Sequence, residues 1–172
     1  MKKILTCFLY CVVVQFVCAE TLEVNVSTDD EIRAAVQVNN ANIQLGADIN
    51  LSNKTLEIPK NNTVTIDLNG HKLDRQLTQR GQGGGQVITV RQGATLNLSN
   101  GTLTGGWGGG GGMVNEGGIA TLTNVIITGN VAEDRGGGIY NYGTLTMTGG
   151  ETLSQYDGMK VAKVILSGRT SA

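Results

Sequence analysis

Several residue types that many functions need are scarce in this chain of 172 residues. It has one histidine, one proline and three cysteines, and only 16% of its residues are charged and 4% aromatic. A single histidine excludes a multi-histidine metal site and most catalytic machineries that use two histidines. The formal net charge is −1, so the chain lacks the basic excess of a nucleic-acid-binding protein. The length indicates one domain, or two at most.

The amino terminus holds all three cysteines and the longest apolar run. Lys2 and Lys3 precede the apolar stretch 4–17, and small residues follow it up to Ala19. This is the pattern of a secretory signal peptide in residues 1–19, and the apolar stretch is too short to span a bilayer. We therefore expect cleavage after Ala19, a secreted mature chain without disulfide or thiol chemistry, and no membrane span in that chain.

Residues 20–42 are predicted to form a short strand and then an amphipathic helix over residues 29–38. Thr28 and Glu31 have the spacing of an N-terminal capping box. Apolar residues then recur at the i, i+3, i+4 spacing of one helix face, at Ile32, Ala35 and Val36.

From residue 43 onward the chain is organised by a repeat with apolar residues at offsets 0, +2 and +7. Five units fit it, the last with a threonine in third place: Ile49/Leu51/Leu56, Ile66/Leu68/Leu73, Leu96/Leu98/Leu103, Ala120/Leu122/Ile127 and Leu145/Met147/Thr152. Offsets 0 and +2 place two side chains on one face of a strand, and the step to +7 requires a turn. These features predict stacked coils of short parallel strands, a β-solenoid.

The predicted turns carry asparagine or glycine at offset +3 or +4 of each unit: Asn53, Asn69-Gly70, Asn100, Asn124 and Gly149. Two explanations are open for the asparagines. Stacked turns would allow their side chains to form a hydrogen-bonded ladder, and asparagine also tolerates the left-handed backbone of a tight bend.

Glycine is abundant, with 22 of the 26 glycines between residues 81 and 150. Within that part, GGGMVNEG (110–117) matches GGGIYNYG (136–143) at a distance of 26 residues. The stretch 127–150 resembles the repeats of bacterial right-handed parallel β-helix surface proteins, such as the passengers of polymorphic outer membrane proteins and related adhesin-like secreted proteins. VTIDLNGHKL (64–73) resembles a strand-turn unit near the start of many pectate-lyase-like β-helices.

The resemblance implies an all-β fold, a right-handed parallel β-helix of about five coils over residues 43–150, capped by the helix at 29–38. It also implies a location outside the cell or on a bacterial cell surface. Residues 151–172 depart from the repeat and are expected to be an irregular tail or an incomplete last coil. Six apolar residues are predicted to be buried: Ile66, Leu68, Leu96, Leu98, Leu122 and Leu145.

Residues that could carry catalysis are few. The single histidine, His71, is interpreted as a solvated turn residue beside Asn69-Gly70. Asp67 should face outward and stand alone, since the next coils are expected to offer Asn97, Thr121 and Thr146 at its offset. The charged residues near the long insertion are interpreted as solvated loop charges: Asp74, Arg75, Arg80 and Arg91. We predict no catalytic residue, no metal and no cofactor.

Three aromatic residues are the candidate binding residues. Ile139 is the natural core residue of its strand, which directs Tyr140 and Tyr142 outward. Trp107 lies among glycines that leave it unfixed, so it could swing onto a ligand or pack on the solenoid. Exposed tyrosines offer large rigid contact area at low entropic cost. The alternative is that both tyrosines merely cover the neighbouring coil or an exposed last edge.

Two classes of function follow. The first is a non-catalytic, adhesin-like structural or interaction module whose partner is a host surface or an extracellular glycan or protein. The alternative is a carbohydrate-binding or polysaccharide-degrading β-helix, or a truncated fragment of a longer passenger. A polysaccharide-active protein of this kind is expected to present outward charged clusters with aromatics on successive coils, and the sequence offers no such cluster.

Overall fold

The computed structural model describes residues 22–52, 54–77, 85–108, 110–132 and 136–156, and these are mostly β-strand. The expected signal peptide (1–19) lies outside the described residues. The elements are β1 Leu22–Val26, α1 Asp29–Ala35, β2 Ala41–Leu45, β3 Ile49–Asn50, β4 Leu56–Ile58, β5 Thr63–Asp67, β6 Lys72–Asp74, β7 Ile88–Val90, β8 Thr95–Thr104, β9 Met113–Asn115, β10 Ile119–Ala132, β11 Ile139–Asn141, β12 Thr144–Thr148 and β13 Glu151–Tyr156. The prediction of an all-β fold is confirmed.

The strands pair in three rows, and every pairing between these strands is parallel. Row 1 runs β1, β2, β5, the first half of β8, the first half of β10, and β12. Row 2 runs β3, β6, the second halves of β8 and β10, and β13. Row 3 runs β4, β7, β9 and β11. From β2 onward the chain visits rows 1, 2 and 3 in turn and returns beside the strand that it formed one round earlier.

Residues at the same offset of the later repeat units lie side by side. In row 1, Leu96 pairs with Ala120, and Ala120 pairs with Leu145. Each step of 24 or 25 residues therefore returns the chain to the same place in the row, as the apolar repeat requires.

The predicted alignment of the first two units is wrong. Ile49 pairs with Leu73, whereas Ile66 pairs with Ile43 and Leu98. For the second unit, alternating apolar residues fit two registers that differ by two positions, because the period of a strand is two. The first unit is displaced further, since Ile49 lies in row 2 with Leu73 and Leu103, the residues at offset +7. The bend after β5 is also longer than the later ones, so spacing alone does not select the correct register.

A left-handed residue accompanies the bend within β8 and again within β10. Asn100 and Asn124 have φ values of 57° and 54°. Their side chains are also linked, since Asn124 Nδ2 donates to Asn100 Oδ1 at 3.5 Å. Asn100 Nδ2 in turn donates to Asp67 Oδ1 at 3.1 Å. Both explanations of the recurrent asparagines therefore hold at these two bends.

The helix α1 is shorter than predicted, with seven residues in Asp29–Ala35 instead of residues 29–38. Its start follows the sequence signal, because Thr28 Oγ1 accepts the Glu31 N–H at 3.3 Å, while Glu31 Oε2 accepts the Ser27 N–H at 2.9 Å. Val36 closes the helix, and Asn40 follows soon after with a φ of 61°. This left-handed residue is the last of the turn 36–40, which includes residues 36–38 of the predicted helix and leads into β2.

The apolar residues that face inward form one continuous core. Five of the six residues predicted to be buried are at most 1% exposed: Ile66, Leu68, Leu96, Leu98 and Leu122. Leu145 is only partly buried against this core, which corrects its prediction. It lies on β12, the last strand of row 1 among the described residues. Leu96 lies on a strand with a paired strand on each side, whereas the strand of Leu145 has one on one side only.

Candidate interaction surface

The candidate binding tyrosines belong to the last strand of row 3. Strand β11 pairs with β9, which aligns Ile139 with Met113 and Tyr140 with Val114. Ile139 is 7% exposed and belongs to the core. The alternation of the strand therefore directs Tyr140 away from the core, as the sequence predicts.

Tyr140 and Tyr142 are brought together on this strand. Their ring centroids lie 4.5 Å apart with an interplanar angle of 84°, an edge-to-face arrangement, and their hydroxyl groups are hydrogen-bonded to each other. Tyr142 is 63% exposed, and Tyr140 is half-buried. Edge-to-face aromatic pairs are favourable beyond their buried area, so the two rings form a preorganised aromatic surface.

Trp107 is held by its backbone among residues of other segments. Its N–H donates to the Gly85 carbonyl at 3.0 Å, and the Gly108 N–H donates to the Val131 carbonyl at 3.0 Å. The backbone therefore bridges Gly85 on one side and β10 on the other. The expectation that glycines leave this residue unfixed is wrong for its backbone.

The glycine segment lies against the tyrosine strand at Gly110. A Cβ atom at this position would approach Val114 Cγ2 to 2.6 Å and Tyr140 Cβ to 2.8 Å. Real Cβ atoms essentially never show such distances, so a side chain at Gly110 would displace the strand pair. Lack of volume explains the glycine here.

Asn115 supports β11, the strand of the tyrosines, through side-chain hydrogen bonds, a role that sequence analysis missed. It is fully buried. Its Nδ2 donates to Asn141 Oδ1 at 2.8 Å and to the Gly118 and Thr144 carbonyls at 3.1 Å, while its Oδ1 accepts the Gly118 N–H at 2.8 Å. The signal was present, since both copies of the glycine-rich direct repeat place asparagine here.

An ion-pair bridge lies beside the tyrosines on the same surface. Arg91 Nη2 contacts Glu57 Oε1 at 2.6 Å, and Arg91 Nη1 contacts Glu116 Oε2 at 2.7 Å. The hydrogen bonds that Arg91 donates to the carboxylates of Glu57 and then Glu116 raise the pKa of Arg91 above its ordinary value. Glu116 and Tyr142 each follow the paired residues Asn115 and Asn141 directly, so the bridge borders the aromatic pair.

Asp67 does not have the neighbours that the sequence predicted. It pairs with Gln44 and Ser99, not with Asn97, because the register of β5 differs by two residues. The hydrogen bond from the Asn69 backbone N–H, at 2.9 Å, is the main cause that lowers the pKa of Asp67.

His71 Nδ1 lies 3.2 Å from Asp48 Oδ1, and its side chain is 33% exposed. Its place at a bend agrees with its interpretation as a turn residue. Within the ranges that the structure describes, no group of three or more His, Cys, Asp or Glu side chains could hold a metal ion.

Arg75 was interpreted as a solvated loop charge, and this is wrong. The residue is 3% exposed, and its Nη1 donates to the Leu51 carbonyl at 3.0 Å. Burial, and after it the charge of Arg33, lowers the pKa of Arg75. Hydropathy patterns identify buried apolar residues and miss a buried cation of this kind.

Comparison with known proteins gives no relative. A scan against protein-family models and searches of curated proteins and of solved structures each found no match. Among the described residues, no helix has the length and apolar character needed to cross a membrane.

Proposed function

We propose that this chain is a secreted or cell-surface protein whose right-handed parallel β-helix acts as a non-catalytic, adhesin-like interaction module. The partner is a host surface or an extracellular glycan or protein. The observation that carries the proposal is the aromatic pair Tyr140–Tyr142, which stands on the last strand of row 3.

The β-helix part of the proposal is supported by the strand order. Three rows of parallel strands, visited in turn with returns of 24 to 26 residues at Leu96–Ala120, Ala120–Leu145 and Met113–Ile139, are what stacked coils require. The resemblance of residues 127–150 to surface-protein passengers adds the right-handed sense and the location.

The binding part of the proposal is supported by the chemistry of the surface. Tyrosines supply rigid amphipathic area and are frequent in binding surfaces. Here Tyr142 is largely exposed, the pair is fixed edge to face, and the Glu57–Arg91–Glu116 bridge beside it adds polar groups. An apolar centre with a polar margin is typical of protein interfaces.

The test is adherence of the purified chain to immobilised glycans, to matrix proteins and to host cells. We expect the double variant Tyr140→Ala/Tyr142→Ala to lose at least about tenfold in affinity, the effect of an aromatic hot spot. A matched control is Ile119→Ala/Ile126→Ala, which removes exposed apolar area from β10 instead; these residues are 51% and 37% exposed.

Several outcomes would contradict the proposal. Full adherence of a folded tyrosine variant would exclude this surface, and equal loss in the isoleucine control would show a nonspecific apolar effect. Cleavage of a glycan by the wild-type chain would overturn the non-catalytic assignment in favour of a polysaccharide-degrading β-helix.

A further inference from the structure

A second surface feature lies near the opposite end of the strand stack from the tyrosines. A groove of about 460 Å³ separates the end of α1 from the segment that leads into β4. It is lined by Arg33, Val36, Gln37, Lys54, Thr55, Leu56, Glu57 and Arg75. Its volume lies within the range of small-molecule sites, roughly 300–1,000 Å³.

Cations outnumber anions in this lining. It contains Arg33, Lys54 and Arg75 against Glu57 as the one carboxylate. Both oxygens of Glu57 are engaged by Arg91, at 2.6 and 3.3 Å, and Arg91 also pairs with Glu116. Arg33 pairs with Asp29, so four cations stand against three carboxylates when these partners are counted. The lining residues therefore produce a positive local potential.

The two guanidinium groups are held in place by the fold. Arg33 Nε pairs with Asp29 Oδ1 at 2.7 Å, and its two terminal nitrogens donate to the carbonyls of Thr55 at 3.0 Å and Lys54 at 2.6 Å. Arg75 is anchored on the Leu51 carbonyl. Because these contacts fix the cations before any ligand arrives, little ordering entropy is lost on binding.

The two arginines also act on each other. Burial is the main cause of the lowered pKa of Arg75, and the charge of Arg33 lowers it further, so the like charges are close enough to repel. An anion placed in the groove would be attracted by both, and the guanidinium group matches the geometry of carboxylate and phosphate oxygens. Val36 and Leu56 add apolar surface, while Gln37 and Thr55 add neutral hydrogen-bonding groups.

We propose that this groove binds a small organic molecule through its carboxylate or phosphate group, with Arg33, Arg75 and Lys54 as the anion-recognising side chains. The groove shares Glu57 with the polar margin of the aromatic surface, but neither tyrosine lines it. Binding in the groove requires neither adherence nor the β-helix assignment. Its failure and the failure of the proposed function are therefore distinguishable.

The test is a calorimetric titration of the purified full chain with three probes that share a six-carbon polyol: sorbitol 6-phosphate, gluconate and sorbitol. We expect saturable binding of one or both anionic probes, weakened by added salt, and none of neutral sorbitol. Preference between the two anions identifies the recognised group. Equal binding of sorbitol, or no saturable binding of either anion at millimolar concentration, would overturn the proposal.

Lys54 is the variant of choice because its side chain is exposed and its loss should not impair folding. We expect Lys54→Ala to weaken anion binding about fivefold, the effect of one exposed charge pair. The control is Lys60→Ala, which removes an exposed lysine from outside the groove. Unchanged binding in Lys54→Ala, or equal loss in both variants, would contradict the proposed site.

Arg75→Gln removes the buried cation and should abolish binding if the variant folds. If it does not fold, the comparison of Lys54→Ala with Lys60→Ala still tests the site. A second test is the rise in melting temperature that a bound anion gives to the wild type. Absence of that rise at saturating anion would count against the site.

Discussion

The two ends of the strand stack differ in how far they are covered. At the first end, α1 contacts β1 and β2, and its residue Ile32 and its C-cap Val36 are at most 1% exposed. At the other end, within the described part of the chain, β11, β12 and β13 each pair on one side only. Leu145 there is partly exposed, and Tyr142 is 63% exposed.

The difference teaches where association should occur. At the first end β1, β3 and β4 also pair on one side only, but α1 covers the core there and leaves little apolar surface for a protein partner. An edge strand with unpaired backbone groups and aromatic side chains accepts partners readily. The proposed adhesive surface therefore belongs to the uncovered end, whereas the covered end provides a fixed groove suited to small ligands.

The largest expected effect is the difference in lost unfolding free energy between a substitution in the middle of the stack and one at the uncovered end. Leu96 and Leu145 occupy the same column of row 1, two strands apart. We expect Leu96→Ala to cost about 3 kcal/mol of unfolding free energy, as for a fully buried leucine. Leu145→Ala should cost about 1 kcal/mol, because much of its area stays in water.

Urea denaturation of both variants measures these costs. Equal losses would show that Leu145 is covered in solution, and the contrast between the two ends would then fail.

A smaller effect is expected from the paired asparagines Asn115 and Asn141. Each accepts a backbone N–H beyond its strand, but Asn115 is fully buried and Asn141 is exposed. Asn115→Ala leaves the Gly118 and Thr144 groups without this partner and should cost about 2 kcal/mol. Asn141→Ala should cost about 0.5 kcal/mol, since water replaces the lost contacts.

Unfolding free energies and amide exchange at Tyr142, whose N–H donates to the Asn115 carbonyl, measure this difference. A cost for Asn141→Ala as large as that for Asn115→Ala would contradict it.

The smallest effect concerns the covered end and depends on pH. Hydrogen bonds from the Ser27 backbone and then the Thr28 side chain lower the pKa of Glu31 below its ordinary value. A carboxylate with a lowered folded pKa stabilises the folded state above its unfolded pKa, about 4.3. That stability disappears as the pH falls through the folded pKa.

We therefore expect the wild type to be slightly more stable than Glu31→Gln at pH 6, and we expect this difference to shrink as the pH falls to 3. Chemical denaturation at both values tests this expectation. If the stability difference between the two proteins stays constant with pH, Glu31 does not contribute to the pH dependence of the covered end.

Sequence reasoning succeeded where the spacing between strands is constant. The units that start at Leu96 and Ala120 each bend at one left-handed asparagine, Asn100 or Asn124, so apolar offsets translate directly into strand register. It failed around Ile66, where a longer bend and a period of two left two registers open. It also failed for Arg75 and Asn115, because a buried polar residue contributes nothing to an apolar pattern.

The parallel pairing of all three rows also determines how the molecule bears mechanical load. The hydrogen bonds between paired strands run along the stacking direction, and each layer is joined to the next through more than one row. Tension along the stack is therefore shared among the rows at every junction. The last junction lies next to the uncovered end, where β11 meets β9 and where β12 and β13 meet β10. Under pulling from that end, it should separate first.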